Sequence, residues 1–346
     1  MRTLCRPLVL CALLGAAACG SETPIPPTPT PNAPTLSCPA SSSLVSPDGA
    51  AVPLTFTVPT AVGGQLPVPV TCSKLSGSTF PLGSTIVTCT AVDALARQAS
   101  CNFAVTVTAA PRISKTKFLA FGDSITYGRC GVKDNVCPAY TVRLEELLRA
   151  RYTQQSFAIS TRGVPGESAP VGEDLLPGVL DAINPEVLLL MEGTNDLTGG
   201  AARLPEALES LEDMITIAQN RNPAIVVYIA TVPPIAPGGP NSASIPLVAP
   251  FNAQIRNIAA RRGATLVDVY SALNADIPRY YLIDDLHPLA EGLRLIGETF
   301  YAAIRATLDN TPTAATATPH GLFEPPGRLS PGLKTRPPKT PKLPGR

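Results

Sequence analysis

Val187-Leu188-Leu189-Leu190-Met191-Glu192-Gly193-Thr194-Asn195-Asp196 joins five consecutive apolar residues to an abrupt polar turn. A short, unbroken apolar run is what a strand buried on both faces requires. The same design recurs earlier, where Phe118-Leu119-Ala120-Phe121 runs into Gly122-Asp123-Ser124-Ile125-Thr126. Ile225 to Ala230 and Ala264 to Val269 read as two more strands, and Gln155 to Ile159 as a fifth. Apolar residues at helical spacing lie between and after them. Tyr140, Leu144, Leu147 and Leu148 form one such face, and Leu208, Leu211, Ile215 and Ala218 another. Phe251, Ile255, Ile258 and Ala259 give a third, and Leu289, Leu293, Ile296, Phe300 and Ile304 stripe the last. Strands alternating with helices indicate a parallel sheet covered on both faces. The expected fold over residues 116–308 is therefore α/β in three layers.

In such a sheet, ligands bind beyond the carboxyl ends of the strands. Polar clusters stand at those ends: Gly122-Asp123-Ser124, Gly163-Val164-Pro165-Gly166-Glu167-Ser168, Gly193-Thr194-Asn195-Asp196 and, before the last helix, Asp284-Asp285-Leu286-His287-Pro288. Serine is a weak nucleophile until a base takes its proton. His287 can be that base, because free imidazole titrates near ~6.5. Asp284, three residues earlier, shares a face with it in a helical turn and can orient the ring. Asp285, at i−2, points elsewhere. An oxyanion needs donors, and the Ser124 and Gly166 N–H groups and the Asn195 amide lie in the right loops. Singly, each cluster has a plainer reading: a turn for Gly-Asp-Ser or Gly166, a helix cap for Gly-x-Asn-Asp, a capped helix start for Asp-x-x-His-Pro. Ser168 is a rival nucleophile, but it sits in the glycine loop. The case for catalysis rests on the four clusters occurring together, in order. The chain has only two histidines, and His320 lies near the carboxyl terminus.

Composition bounds the alternatives. The 346 residues are 45% hydrophobic and only 15% charged, with a formal net charge of +1. That balance argues against a nucleic-acid partner, which calls for a basic stripe. Two histidines exclude a zinc centre built on several imidazoles, and the Cys-x-x-Cys spacing of zinc sites is missing. No metal and no organic cofactor is expected. Proline, at 39 residues, must fall largely in linkers.

Arg2 and Arg6 flank the start of a short apolar run, Leu8 to Ala18, which reads as a signal peptide over residues 1–18. Ala16-Ala17-Ala18-Cys19-Gly20 resembles a bacterial lipoprotein box, which implies lipidation at Cys19 and a membrane anchor, although Ala16 stands where that pattern prefers leucine. The plainer reading is ordinary cleavage after Ala-x-Ala. Residues 19–33 are a proline-rich tether. Residues 311–346 lack periodicity and are read as a disordered, Pro-rich, basic tail. With Cys5 and Cys11 in the signal and Cys19 lipidated, six cysteines remain, an even number that suggests disulfides in an exported chain. Six cysteines allow 15 connectivities. Cys130 and Cys137 lie close together, apart from the other four, and are paired; for the rest we favour Cys38–Cys101 and Cys72–Cys89.

Between residues 34 and 109 the pattern is short alternating runs: Leu54 to Val58, Thr85 to Cys89 and Phe103 to Val107. These indicate a small β-sandwich. Cys38-Pro39, the run Ser76 to Thr85, Cys89-Thr90-Ala91-Val92-Asp93 and Cys101-Asn102-Phe103-Ala104-Val105 resemble a hyalin-repeat (HYR) domain, which implies an immunoglobulin-like fold and an association with adhesion. Leu95-Ala96-Arg97 stands where that family often has Gly-Asn. No residue here looks catalytic; a spacer is as good a reading as a glycan or cell-surface contact.

The four clusters of residues 116–308 resemble those of the GDSL/SGNH hydrolases. The resemblance implies a flavodoxin-like fold and a Ser124–His287–Asp284 triad. It also implies an oxyanion hole of Ser124, Gly166 and Asn195, and action on esters of lipids, sugars or small acyl groups. The expected protein is an exported esterase working through an acyl-serine; the rival from another class is a surface glycan-binding protein without turnover. The Cys130–Cys137 loop is expected to wall the pocket; the Pro- and Gly-rich stretch from Val232 to Pro250 is either another wall or a surface excursion.

Overall fold

The computed structural model describes residues 31–131, 135–282 and 284–313. The signal peptide, Cys19, most of the tether and all of the basic tail beyond residue 313, His320 included, lie outside them. The chain forms two compact units. Thr55–Gly77 and Ile86–Phe103 cluster with the stretch ending at Ala40, and Ser41–Leu54, Ser78–Thr85 and the chain from Ala104 form the second.

The amino-terminal region is built of strands: β1 (Thr35–Leu36), β2 (Ser42–Ser46), β3 (Val52–Pro53), β4 (Ala61–Val62), β5 (Val70–Cys72), β6 (Thr79–Phe80), β7 (Gly83–Val92) and β8 (Gln98–Ala109). A four-stranded sheet has the order β2-β8-β7-β5, and β1-β4 and β3-β6 form two short pairs. Alternation works as expected in the long strands: Val87, Cys89 and Ala91 of β7 and Phe103, Val105 and Val107 of β8 are buried. Leu54 to Val58 alternates too, yet is not a strand. The Ser76 side chain takes both main-chain groups of Phe56, accepting from its N–H at 2.9 Å and donating to its carbonyl at 2.7 Å. With both groups taken by a side chain, Phe56 has neither left for a ladder. Disulfides join Cys38 to Cys101 and Cys72 to Cys89.

The second region contains β9 (Lys117–Gly122), β10 (Ala158–Gly163), β11 (Val187–Met191), β12 (Val226–Ala230) and β13 (Thr265–Val267). They form one sheet in the order β10-β9-β11-β12-β13, with every pairing parallel. The helices are α1 (Ser124–Tyr127), α2 (Tyr140–Arg151), α3 (Ala169–Ile183), α4 (Thr194–Thr198), α5 (Leu204–Arg221), α6 (Ile245–Arg262), α7 (Val269–Asn274), α8 (Ile277–Tyr280) and α9 (Ala290–Leu308). Side chains alternate across a strand, so each central strand feeds two cores. Phe118 and Ala120, Val187 and Leu189, and Tyr228 join the cluster that includes Leu144, Ile296 and Phe300 from α2 and α9. Leu119 and Phe121, Leu188 and Leu190, and Ile229 join the cluster that includes Leu176, Leu211 and Ile255 from α3, α5 and α6. This is the three-layer α/β/α arrangement.

The stretch from Val232 to Pro250 is a loop only in its first part, because α6 begins at Ile245. Pro246 sits in its first turn, where a missing N–H costs no intrahelical bond.

Candidate active site

Strand β9 lies between β10 and β11, so chain order reverses there and a crevice opens at the carboxyl edge. Ser124 leaves β9 at that edge and opens α1. The Asp123 carboxylate caps the helix, accepting from the Ile125 N–H at 2.9 Å. As first residue of a helix, Ser124 has a backbone N–H without an intrahelical acceptor. Gly128, in the left-handed region, ends α1 after one turn.

Ser124 Oγ lies 2.9 Å from His287 Nε2, and His287 Nδ1 lies 2.8 Å from Asp284 Oδ2. The other Asp284 oxygen accepts from the Leu286 and His287 N–H groups at 2.9 and 3.1 Å. Burial alone would push the Asp284 carboxyl up. The His287 ring and the Leu286 and His287 N–H groups outweigh it and hold the carboxyl below its ordinary value. An ionised carboxylate only accepts, so the ring proton sits on Nδ1. Nε2 is then the acceptor for the Ser124 hydroxyl, and the three groups form a line along which a proton can leave the serine.

Gly166 and Asn195 meet Ser124 across one cleft. Gly166 holds φ +81°, a left-handed conformation that favours glycine. Asn195 spends one amide N–H on the Glu167 carbonyl, 2.7 Å away, which leaves the second for a ligand. Asp196 accepts from the Ala169 N–H at 2.9 Å and so caps α3. The Asn195-Asp196 pair thus ties α4 to the loop carrying Gly166. The cleft, of about 340 Å³, is lined by Ser124, Arg129, Pro165, Gly166, Asn195, Leu286 and His287. Ser168, the rival nucleophile, is instead the N-cap residue of α3. Arg129 and Leu286 are lining residues that sequence reasoning gave no role; Leu286 lies inside the last motif block, and Arg129 three residues beyond the first.

Beneath the cleft lies a group of buried acids. Burial pushes Asp123 up to about 6; its Ile125 hydrogen bond and nearby His287 limit the rise, and Asp196 adds to it. Glu192 is raised well above the usual range, first by burial and then by Asp123, Glu167 and Asp196. Burial also raises Glu167 against the pull of Arg162, 3.1 Å away, and raises Asp196. Asp123 Oδ2 and both Glu192 oxygens are buried without a hydrogen-bond partner.

On the wall beside Ser124, Cys130 is joined to Cys137. The Arg129 N–H donates to the Ser124 carbonyl at 2.8 Å, and the Gly131 N–H to the His287 and Pro288 carbonyls at 3.2 and 3.1 Å. The segment therefore touches the backbones of both Ser124 and His287.

Solved structures are similar to part of this chain. One is a lipase/acylhydrolase from Enterococcus faecalis, 21% identical, with 57% of this chain and 100% of that one covered at a TM-score of 0.50. Another is Axe2, an acetylxylan esterase from Geobacillus stearothermophilus, 20% identical, with 56% and 95% covered and a TM-score of 0.46. No curated protein matches the chain. The HYR domain model matches residues 30–107. The model of the GDSL-like lipase/acylhydrolase family matches residues 120–295, more than half of the chain, and spans all four motif blocks. The chain belongs to the GDSL-like lipase/acylhydrolase family and is a GDSL/SGNH esterase.

Proposed function

We propose that Ser124, His287 and Asp284 are the catalytic triad of a serine esterase acting on short acyl esters, acetyl above all, of carbohydrate. The observation that carries the reading is the line Ser124 Oγ–His287 Nε2, Nδ1–Asp284 Oδ2 opening onto the cleft. Ser124 Oγ attacks the acyl carbonyl as His287 Nε2 takes its proton. The C–O bond to the alcohol breaks as His287 returns that proton to the leaving oxygen. Water then attacks the acyl-serine by the same route, releasing the acid and restoring the serine. The Ser124 and Gly166 N–H groups and the second N–H of Asn195 stabilise the oxyanion in both halves. Among the described residues, Pro165 and Leu286 are the apolar side chains of the cleft wall, against polar Ser124, Arg129, Asn195 and His287. So small an apolar surface suits a short acyl group and a hydrated alcohol better than a long acyl chain.

Three disulfides suit an oxidising compartment and support export, with Cys19 as the lipid anchor in a bacterial envelope. In that setting the HYR domain would contact surface glycan. A Cys19→Ser chain expressed in bacteria should leave the membrane fraction; retention there would remove Cys19 as the anchor.

The testing experiment compares wild type with Ser124→Ala on p-nitrophenyl acetate, butyrate and octanoate, using the chain without its signal. Acetate turnover that disappears in the variant supports the reading. Preference for octanoate would move the substrate to lipid. A folded wild type without turnover, but with affinity for acetylated glycan, would favour the binding protein instead.

A further inference from the structure

Asp285 stands inside the turn that carries Asp284, Leu286 and His287, yet it faces away from the cleft. Its side chain is buried, at 1% exposure. Both oxygens are used by a single residue. Oδ2 accepts from the Asn241 backbone N–H at 2.7 Å, and Oδ1 from the Asn241 side-chain amide at 2.8 Å. The Asp285 carbonyl accepts from the Ala236 N–H at 2.8 Å, so the loop between β12 and α6 is gripped at two points. Between them Gly239 lies flat on the carboxylate; a Cβ there would stand 2.3 Å from Asp285 Cγ. The loop is closed on itself as well. Ser242 Oγ donates to the Gly239 carbonyl at 2.7 Å and accepts from the Gly238 N–H at 3.0 Å.

A buried carboxylate met only by neutral donors is costly. Chemistry explains why one is used. Two N–H groups of Asn241 arrive together, and a carboxylate accepts both as they stand, whereas an amide would accept only one of them unless the Asn241 side chain turned over. The neighbours on either side have work in the cleft: Asp284 holds the His287 ring, and Leu286 forms the wall.

We propose that Asp285 is a positioning residue: by gripping Asn241 it fixes the 284–287 turn, so that His287 and Leu286 keep their places around the acyl group. The proposal rests on the catalytic reading of Ser124 and His287 given above. It predicts a loss in the chemical step. Small misplacements of reacting groups cost up to about 10²-fold in rate.

The test uses Asp285→Asn, Asn241→Asp and the double variant in which amide and carboxylate exchange places. Asn241→Asp opposes two carboxylates; Asp285→Asn is the milder change, because the Asn241 amide can turn over and accept from the new NH₂. The exchange restores both hydrogen bonds. The readouts are kcat and KM on p-nitrophenyl acetate and the rate at which a fluorophosphonate labels Ser124, followed by intact mass. In labelling, Ser124 Oγ bonds to phosphorus, fluoride leaves, and His287 takes the serine proton. Asn241→Asp should lose about 10- to 10²-fold in kcat and labelling rate with KM nearly unchanged, Asp285→Asn should lose less, and the double should recover most of the Asn241→Asp loss. An Asn241→Asp variant that labels and turns over at the wild-type rate overturns the proposal, as does a double no better than Asn241→Asp alone. A purely structural role would lower the melting temperature and leave the labelling rate of the folded protein intact. A wild type that is not labelled at Ser124 overturns the catalytic reading beneath, a result separate from the other two.

Discussion

Asp93 in the β-rich region and Asp123 at the catalytic edge are both buried aspartates that anchor a turn, and the two are treated in opposite ways. Asp93 accepts from the N–H groups of Gln65, Leu95 and Arg97 and pairs with the Arg97 guanidinium at 2.7 Å. Burial pushes its carboxyl up, but these donors outweigh it and hold it well below the usual range. Asp123 accepts one N–H, keeps a bare oxygen and is pushed up to about 6. Among the described residues, the buried side-chain oxygens without a partner belong to Asp123, Thr126, Tyr140, Glu192 and Tyr281, all in the α/β region. Local rules are satisfied at the Asp93 turn and relaxed at Asp123 beside the cleft. Asp284, on the same edge as Asp123, shows that the relaxation is selective, because its carboxylate is fully engaged.

The strongest way to sharpen this contrast is to remove that engagement. Asp284→Asn should lower kcat by about 10⁴-fold on p-nitrophenyl acetate, because an amide facing Nδ1 favours the wrong tautomer. Steady-state kinetics on the folded variant measure it, and a loss under tenfold would take the orienting role from Asp284. Asn195→Ala comes next. Loss of one oxyanion donor costs about 10²–10³-fold in kcat with little change in KM. A loss under threefold would leave the oxyanion to the Ser124 and Gly166 N–H groups alone.

How much of this was legible in the sequence follows from the range of the interactions involved. Strands β9 and β11 could be read directly, because a strand buried on both faces must be apolar throughout. Strand β10, Ala-Ile-Ser-Thr-Arg-Gly over 158–163, could not; it is an edge strand with intermediate and exposed positions, and the expectation placed it three residues early. Helix α3 was hidden by Pro170, Gly172, Pro177 and Gly178, which break the pattern although Leu176 and Leu180 are buried. At the site, residue type and order marked out Ser124, Gly166, Asn195, Asp284 and His287, because the chemistry demands those groups. The hold of Asp196 on Ala169 and of Asp285 on Asn241 left no trace, since each joins positions 27 and 44 residues apart with no periodic signal.

Asp123→Asn tests whether the bare oxygen carries a cost. The folded carboxyl titrates near about 6 and the unfolded one near 3.8. A raised value favours the folded state below the unfolded pKa, and that advantage is lost as pH rises through about 6. Above that, burial of the charge costs up to about 3 kcal/mol, near 10²-fold in the unfolding equilibrium. The amide keeps an oxygen for the Ile125 N–H and has no charge to bury. The variant should therefore be more stable than wild type in urea at pH 8 and equal to it below pH 4. An unchanged difference at the two pH values would show that the gain has another source.

The smallest expected effect lies in the β-rich region, where the well-satisfied Asp93 turn contains one strained position. Ala96 adopts φ +58°, at the point where the HYR resemblance led us to look for Gly-Asn. Its N–H still bonds the Asp93 carbonyl at 2.9 Å, so the turn forms in spite of the side chain. The left-handed region costs an L-residue about 1–2 kcal/mol, and the freedom glycine gains in the unfolded chain returns about 0.4–1 of that. Ala96→Gly should then stabilise the β-rich region by up to about 1.5 kcal/mol, a rise of several degrees in its thermal midpoint. Turnover of p-nitrophenyl acetate should not change. If stability stays level, the Asp93 bonds already absorb the strain, and the distinction between the two aspartates rests on Asp123 alone.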